Sequence, residues 1–385
     1  MRLYEVICLC LAAALYVTSQ PAAASEPLQL GALFDLTGEA SSYGVPSSQG
    51  AQLHADEINT AGGVLGQPIE IILKDSAGGI EGAASAAEGI IAEAPNVSAL
   101  FGLSESDMAR AAAKVAAAAG RVFVTSGATS PVLPDEVPEY LFLACFGDNV
   151  QAAAAAEFAY GTLNARSATI LFDSSHTYTR LLQDYFAKSF QALGGEIVAA
   201  INFQGSDKFG NAAARAPASD IFFVAAESPP EALQYIKTLR ESGFDQPVLG
   251  GDGYDGDSVW NGAPDLKDIY FTTHAYFGED NPSPQAAEFL QAFAAAYEGA
   301  TPDAFAGLGY DTVGLLAAAM EKAGSSDPDR LREALLTLNG YEGVTGEISF
   351  VEGSHVPQKS VTILQIADGK RIFVKEIIPT QIPQP

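Results

Sequence analysis

Short apolar runs alternate with longer stretches of helical periodicity over the first 280 residues. The apolar runs predict β-strands at 28–34, 69–74, 97–102, 121–125, 140–145, 168–173, 196–201, 219–225, 246–250 and 269–272. Helices are predicted between most of these strands, for example at 83–93, 107–119, 150–163, 178–193 and 230–242. Strands that alternate with helices form parallel sheets with right-handed crossovers, so the pattern predicts an α/β fold.

The first unit of this pattern joins a strand to a helix through a polar stretch. Residues 36–50 are rich in Gly, Ser and Thr and predict a loop, whereas 52–59 have helical spacing. Gly62 and Gly63 are expected to end the helix, because glycine tolerates the left-handed geometry of a C-cap. The loop after the first strand of a parallel sheet lies at the carboxyl edge, where ligands bind in such folds.

The pattern changes after residue 280. Three successive helices and then three short β-like segments are predicted, at 284–297, 304–323, 328–338, 346–350, 360–366 and 371–378. A helical segment that follows two α/β halves must pack on one of them.

The number of strands predicts two lobes, because ten strands are too many for one compact domain of this type. A chain of 385 residues is long enough for two domains. We expect the first lobe to comprise 25–146 plus 273–350, and the second 147–272 plus 351–385. The chain would then cross between the lobes near 146, 273 and 351. Lobes joined by three segments can hinge but cannot separate.

The composition limits the classes of function. The net charge is −27, and no run of Lys and Arg interrupts the acidic pattern, so nucleic acid is excluded as a partner. The sequence contains no zinc signature, P-loop, GxSxG elbow or dinucleotide fingerprint. We therefore predict no catalytic residue, cofactor or metal. Asp252, Asp255 and Asp257 lack the glutamate that would complete a calcium loop.

Residues 1–24 have the features of a cleaved signal peptide. An apolar segment at 6–17 precedes three alanines at 22–24, the small residues that a signal peptidase needs. Cys8 and Cys10 lie too early for a lipoprotein cleavage site. After cleavage only Cys145 remains, so no intrachain disulfide can form, and its apolar surroundings predict a buried structural thiol.

Hydroxyl and acidic residues collect after several predicted strands. The turns at 104–107 and 125–131 offer Ser and Thr hydroxyls and backbone N–H groups, which favour an anion such as a carboxylate. Asp252 follows another strand in a Gly-rich turn, where its carboxylate could hold an ammonium group. Each feature alone is also compatible with an ordinary capped turn. Together, on two lobes, they predict a site for a zwitterion that closure would bury.

Ordered blocks along the chain carry a resemblance to a known family. The blocks are LTGEASSYG, ADEINTAGGVLGQPIEI, FGLSES, VTSGATSPVLP, LGGDGYD, LGYDTVGLLAAA and VTGEISF. In this order they resemble the type I periplasmic binding proteins of ABC importers, in particular the leucine/isoleucine/valine-binding branch. The resemblance implies two Rossmann-like lobes, a three-crossover hinge and a ligand held between the lobes.

The resemblance also implies a set of binding residues. By position, Ser106, Gly127 and Thr129 resemble those that bind the carboxylate and ammonium groups of an amino acid, and Ala128 belongs to the same turn. Asp252 resembles the acid that contacts the ammonium group.

Aromatic and polar positions complete the implied site and also distinguish this chain. Tyr43 resembles an aromatic residue that closes over the ligand side chain, and Tyr178 an aromatic residue of the second lobe. Glu227 or Ser228 lies where leucine-type binders often carry Tyr. With His176 nearby, the additional acid predicts a more polar pocket than an aliphatic ligand requires.

The function that the resemblance implies is capture of an amino acid, branched-chain or related, in the periplasm for delivery to an ABC permease. A monomer is expected. The same fold with urea, a short amide or an aromatic acid as ligand remains open, as does a ligand sensor. Neighbouring permease and ATPase genes would favour transport.

Overall fold

The computed structural model describes residues 26–77, 79–278, 281, 283–350 and 353–385. The predicted signal peptide, 1–24, lies outside the described residues, as do residues 351 and 352 at the predicted third crossover.

The described elements follow the predicted alternation closely. The strands are β1 (Leu28–Phe34), β2 (Ile69–Asp75), β3 (Ala99–Gly102), β4 (Val122–Thr125), β5 (Leu141–Leu143), β6 (Ser167–Asp173), β7 (Glu196–Phe203), β8 (Ile221–Ala225), β9 (Val248–Gly250), β10 (Ile269–Thr273), β11 (Tyr341–Gly343), β12 (Gly346–Ile348), β13 (Val361–Ala367) and β14 (Lys370–Ile377). The helices are α1 (Ser41–Thr60), α2 (Ile80–Glu93), α3 (Ser106–Ala118), α4 (Leu133–Glu136), α5 (Asp148–Gly161), α6 (Thr177–Ala192), α7 (Phe209–Ala213), α8 (Pro229–Glu241), α9 (Asp257–Trp260), α10 (Pro284–Ala296), α11 (Ala304–Ala323) and α12 (Pro328–Leu335).

The first sheet is parallel and is covered by helices on both faces. Its strand order is β2-β1-β3-β4-β5. On one face Leu30 and Phe34 pack with residues of α1 and α11, and on the other Leu33 packs with residues of α2 and α3. Successive side chains of a strand point to opposite faces, so a strand that is buried on both faces is apolar throughout.

The second sheet is mixed. Its order is β14-β13-β10-β9-β8-β6-β7, in which β6 to β10 are parallel and β13 and β14 pair antiparallel. The sequence predicted parallel sheets, and the antiparallel pair adds to that description. The two-residue turn Asp368-Gly369, where φ is 52° and 74°, connects β13 to β14 and makes this pair antiparallel. Turns with two positive φ values connect antiparallel hairpins.

The prediction of a loop at 36–50 was wrong from Ser41 onward, because α1 begins there and contains Pro46. The glycines of this stretch permit close packing. A Cβ atom on Gly44 would lie 1.9 Å from the carbonyl oxygen of Asp35, and one on Gly50 would lie 1.9 Å from that of Ala306. The polar composition that predicted a loop thus reflects tight contacts of a helix, and tertiary packing overrides local propensity.

The chain passes between the two sheets after β5, after β10 and before β13. After β10 it returns to the first sheet, where α11 packs along α1. The result is two α/β lobes joined by three segments, with the carboxyl ends of β1, β3 and β4 facing those of β6, β8 and β9.

Candidate functional site

A small cavity lies between the carboxyl ends of the two sheets. Its volume is about 20 Å³, close to the room that one water molecule needs. Residues that follow strands of both sheets line it, together with one residue of α11: Tyr43, Ser104, Glu105, Gly127, Thr129, Tyr178, Glu227, Asp252, Gly253 and Phe305. This placement agrees with the rule that ligands bind at the carboxyl edge of such sheets.

Most of the residues that the sequence proposed come together at this cavity. Those that line it are Tyr43, Gly127, Thr129, Tyr178, Glu227 and Asp252. Ser106 and Ala128 do not line it. The Ser106 Oγ is buried without a hydrogen-bond partner among the described residues, and the backbone groups of Ala128 bond to Thr125 Oγ1 and Cys145 Sγ.

Four lining residues were missed by sequence reasoning. Ser104, Glu105 and Gly253 lie within quoted motifs, but no pattern separated them from their neighbours. Phe305 comes from the start of α11, far along the chain, and only the packing of α11 on α1 brings it to the site. Its ring lies 4.3 Å from that of Tyr43, centroid to centroid.

Asp252 is held by three donors, and with Gln151, Tyr178 and His274 it forms a group that we call the Asp252 network. Its Oδ1 accepts hydrogen bonds from the Tyr178 hydroxyl and Gln151 Nε2, both at 2.8 Å, and its Oδ2 lies 3.0 Å from His274 Nε2. The Oε1 of Gln151 accepts from the backbone N–H of Asp252 at 3.1 Å and from the hydroxyl of Thr272 at 2.7 Å. The network therefore fixes both the carboxylate and the turn that carries it.

The ring of His274 is best described as neutral. Its pKa is lowered, mainly by burial, while the Asp252 carboxylate acts in the opposite direction. The neutral tautomer that donates from Nε2 fits the contact with Asp252. Neither Gln151 nor His274 was predicted, since each lies in a helical or crossover segment without a recognisable motif.

Two further acids, Glu105 from the first lobe and Glu227 from the second, have different surroundings, and we call them the cross-lobe acids. The Oε1 atom of each is buried without a hydrogen-bond partner among the described residues. Burial is the main cause that raises the pKa of Glu105, to about 7. Burial, then the charge of Glu105, raises the pKa of Glu227 well above its usual range. His176 lies 4.0 Å from the Glu227 Oε1 with its ring half exposed.

The predicted carboxylate-binding turn also has acidic neighbours. Burial, followed by repulsion from Asp252, raises the pKa of Asp148 to about 8. The Asp148 side chain is fully buried, and its Oδ1 accepts from Gln151 Nε2 at 3.0 Å. Its Oδ2 is buried without a hydrogen-bond partner among the described residues.

Direct contacts hold the two lobes together across the cleft. The Tyr43 hydroxyl of α1 lies 2.7 Å from the carbonyl oxygen of Glu227 and 2.9 Å from that of Gly253, and its proton is shared between them. At the rim, the Thr177 hydroxyl donates to the Asp107 carboxylate at 2.7 Å. These bonds and the small cavity define a closed arrangement of the lobes.

The remaining reactive side chains near the site have structural partners. Cys145 is fully buried, its Sγ lies 3.3 Å from the carbonyl oxygen of Ala128, and burial raises its pKa well above the usual value. The prediction of a buried thiol is confirmed. Asp255, in the acidic turn, bonds to Thr273 and forms an ion pair with Arg371.

A family profile described as periplasmic binding protein matches residues 27–371, which is most of the chain. The chain belongs to this family. The family fits the geometry above, with two lobes, three connections and a cavity between them. None of the helices in the described part of the chain has both the length and the apolarity that a membrane crossing requires.

Individual members of the family are similar to this protein over nearly its whole chain. The Leu/Ile/Val-binding protein BraC3 of Rhizobium johnstonii is 26% identical, over 89% of this chain and 92% of its own length. The branched-chain amino acid transporter substrate-binding protein LivJ of Streptococcus pneumoniae, solved with isoleucine, is 30% identical, with a TM-score of 0.83 and coverage of 92% of this chain and 100% of its own. The leucine-binding protein LivK of Thermotoga maritima is 27% identical, with a TM-score of 0.82 and coverage of 91% and 99%.

Proposed function

We propose that this protein is an extracytoplasmic solute-binding protein that captures an amino acid, branched-chain or related, between its lobes and delivers it to an ABC importer. The observation that carries the proposal is the polar cavity between the carboxyl ends of both sheets, bridged by the Tyr43 hydroxyl. The relatives named above, whose descriptions mention leucine, isoleucine and valine, support an amino-acid-sized ligand.

The binding residues of this proposal are those named from the sequence, Tyr43, Ser106, Gly127, Ala128, Thr129, Tyr178, Glu227 and Asp252. In the proposed mechanism the ligand first binds one lobe of an open form. Contacts from the other lobe then stabilise the closed form, in which Tyr43 reaches the backbone of Glu227 and Gly253. A ligand can favour closure only through interactions that it makes better in that state.

The cellular setting of the proposal follows from the predicted signal peptide at 1–24. The mature chain would act in the periplasm as a monomer, with the permease subunits of the importer as its partner. The proposal includes no catalysis and no cofactor. We take the lobes as 25–146 plus 273–350 and 147–272 plus 351–385, with the hinge at the three crossings.

The test is thermal unfolding of residues 25–385 against a panel of amino acids, amides, urea and small carboxylates. A solute that binds only the folded protein raises the midpoint in proportion to the logarithm of its concentration. A shift with Leu, Ile or Val supports the branched-chain assignment. A shift only with urea, amides or aromatic acids replaces it by the alternative ligand class, and a flat response to the whole panel rejects solute capture of these classes.

A further inference from the structure

The cavity presents carboxylate acceptors and a hydroxyl, that of Ser104, whose buried Oγ has no hydrogen-bond partner among the described residues. Three carboxylates line it, those of Glu105, Glu227 and Asp252, and no Lys, Arg or His side chain is among its described lining residues. Asp252 already receives three donors from its network, whereas the cross-lobe acids each keep a buried Oε1 without a hydrogen-bond partner among the described residues. A buried carboxylate oxygen without a donor is costly, and a ligand that supplies a donor removes that cost.

Two of the donors expected for a ligand carboxylate, the Ser106 hydroxyl and the Gly127 backbone N–H, are not directed to the cavity. The Ser106 side chain does not line the cavity. The backbone N–H of Gly127 lies 3.3 Å from the carbonyl oxygen of Leu103. These groups would not receive an incoming carboxylate without rearrangement.

The start of α3, predicted as an anion site, carries the chain's own acid. Glu105 is the N-cap residue of α3, and the backbone N–H groups of Ser104 and Glu105 stabilise its charged form. Helix N-termini favour negative charge, and here the Glu105 carboxylate supplies it. A ligand carboxylate at this place would meet a like charge.

The wall of the cavity also suits a cation. Tyr43 and Phe305 form a close aromatic pair that lines it. The faces of aromatic rings attract cations, and the attraction grows when water is excluded. Carboxylates with free acceptor atoms beside aromatic rings form a site for an ammonium or guanidinium group.

We propose that the solute of this protein is a small organic cation with N–H donors, an amine or a guanidinium compound, bound between Glu105 and Glu227, and that an α-carboxylate is not required. This inference rests on the capture of a solute between the lobes, as proposed above, and assigns organic cations as the ligand class in place of branched-chain amino acids. The free acceptor atoms of both acids require N–H groups, which excludes quaternary ammonium compounds as the preferred class.

The decisive experiment compares matched pairs by isothermal titration calorimetry with the mature chain at pH 8. Leucine and 3-methylbutylamine, like lysine and 1,5-diaminopentane, differ only in the α-carboxylate. Urea and guanidinium differ in the positive charge. We expect at least one cation of the amine or guanidinium type to bind at least about tenfold more tightly than its partner. If leucine binds more tightly than its amine, the cation inference is overturned while solute capture stands. If only urea, amides or aromatic acids bind, the inference also fails, and if nothing binds, both fail.

Variants localise the effect. Glu105→Gln and Glu227→Gln each replace a carboxyl group by an uncharged amide of the same size, and each should weaken binding of the preferred cation by about tenfold or more. The control is Glu231→Gln, which removes a nearby charge from a residue that does not line the cavity and should change affinity by less than about threefold. Equal losses of affinity in all three variants would indicate a general effect of negative charge near the cavity. That result would contradict direct contact of the cation with Glu105 and Glu227. As a folding control, the midpoint of thermal unfolding of each variant is measured without ligand.

Discussion

Two groups of acids in one cavity have opposite surroundings. Asp252 is surrounded by donors of its network, from α5, α6 and the segment after β10. Glu105 and Glu227, which approach from the two lobes, each have a buried oxygen that lacks a donor among the described residues. An acid that the protein has already paired serves to position its surroundings, whereas an acid without a partner is available to a ligand. Position at the end of a strand therefore does not by itself identify a binding acid.

The largest effect is expected when the Asp252 network is broken. Asp252→Ala leaves the donors of Tyr178 and His274 buried without an acceptor, and Gln151 Nε2 keeps only Asp148 as an acceptor. The free energy of unfolding should fall by about 2–4 kcal/mol. Asp252→Asn should cost less, because its oxygen still accepts and a neutral His274 can change tautomer to receive its NH₂ group. Urea unfolding measures both. A variant Asp252→Ala with wild-type stability would contradict the structural role assigned to this acid.

The stability of the protein should depend on pH through the buried acids whose pKa values rise on folding. The pKa of Glu105 rises from 4.5 to about 7 on folding and that of Asp148 from 3.8 to about 8, so the folded protein binds more protons than the unfolded chain between these values. Its free energy of unfolding should therefore fall as pH rises from about 4 to about 8. Glu227, Asp252 and Asp35 face these groups with the same sign of charge.

The free energy of unfolding should fall by on the order of 1–3 kcal/mol between pH 5.5 and pH 8. This is less than the full pKa shifts imply, because opening of the lobes relieves part of the repulsion between the acids. Urea unfolding without ligand at the two pH values measures it. Glu105→Gln should reduce the dependence on pH. A stability that increases over this range would show that the acids are paired in solution.

A smaller effect is expected from the bond that joins the lobes. Tyr43→Phe keeps the ring beside Phe305 but removes the hydroxyl that reaches Glu227 and Gly253, so closure should lose about 0.5–1.5 kcal/mol and affinity should fall by about two- to tenfold. Isothermal titration calorimetry with the preferred solute measures the loss of affinity. The matched control is Tyr297→Phe, which removes a 2.7 Å bond to the carbonyl oxygen of Gln49 within the first lobe. Equal losses of affinity in both variants would remove the special role of Tyr43.

The smallest effect is expected at the rim of the cleft. Asp107→Asn weakens the contact with Thr177, but the Asp107 carboxylate also pairs with Arg110 on its own helix, and the site is partly exposed. Partly exposed pairs contribute little, so affinity should change by less than about threefold. A loss larger than that of Tyr43→Phe would place the main closure contact at the rim.

Much of the fold was predictable because it depends on local periodicity. Apolar runs located β1 to β10 within a few residues, and the division of these strands between two sheets falls after the fifth strand. The failure at 41–50 has a specific cause. Gly44 and Gly50 look like loop residues, but they are small because the backbone of Asp35 and that of Ala306 approach them closely. Such a contact joins distant parts of the chain and leaves no local pattern.

Prediction of the candidate site was limited in the same way, by contacts between distant parts of the chain. Gly127, Thr129, Tyr178, Glu227 and Asp252 were proposed from turns and from the family resemblance, and they lie at one cavity. Their roles stay predictions.

By itself, the sequence determined the alternation of strands and helices, the acidic balance, the predicted signal peptide and the turns that carry polar residues, because each follows from residue type and spacing. Only the tertiary structure decided which polar groups already have partners. Gln151 and His274 bond to Asp252 from distant positions, while Glu105 and Glu227 approach from different lobes. Hydrogen bonding and burial are relations between residues that folding brings together, so the chemistry of this cavity depends on contacts that no local pattern encodes.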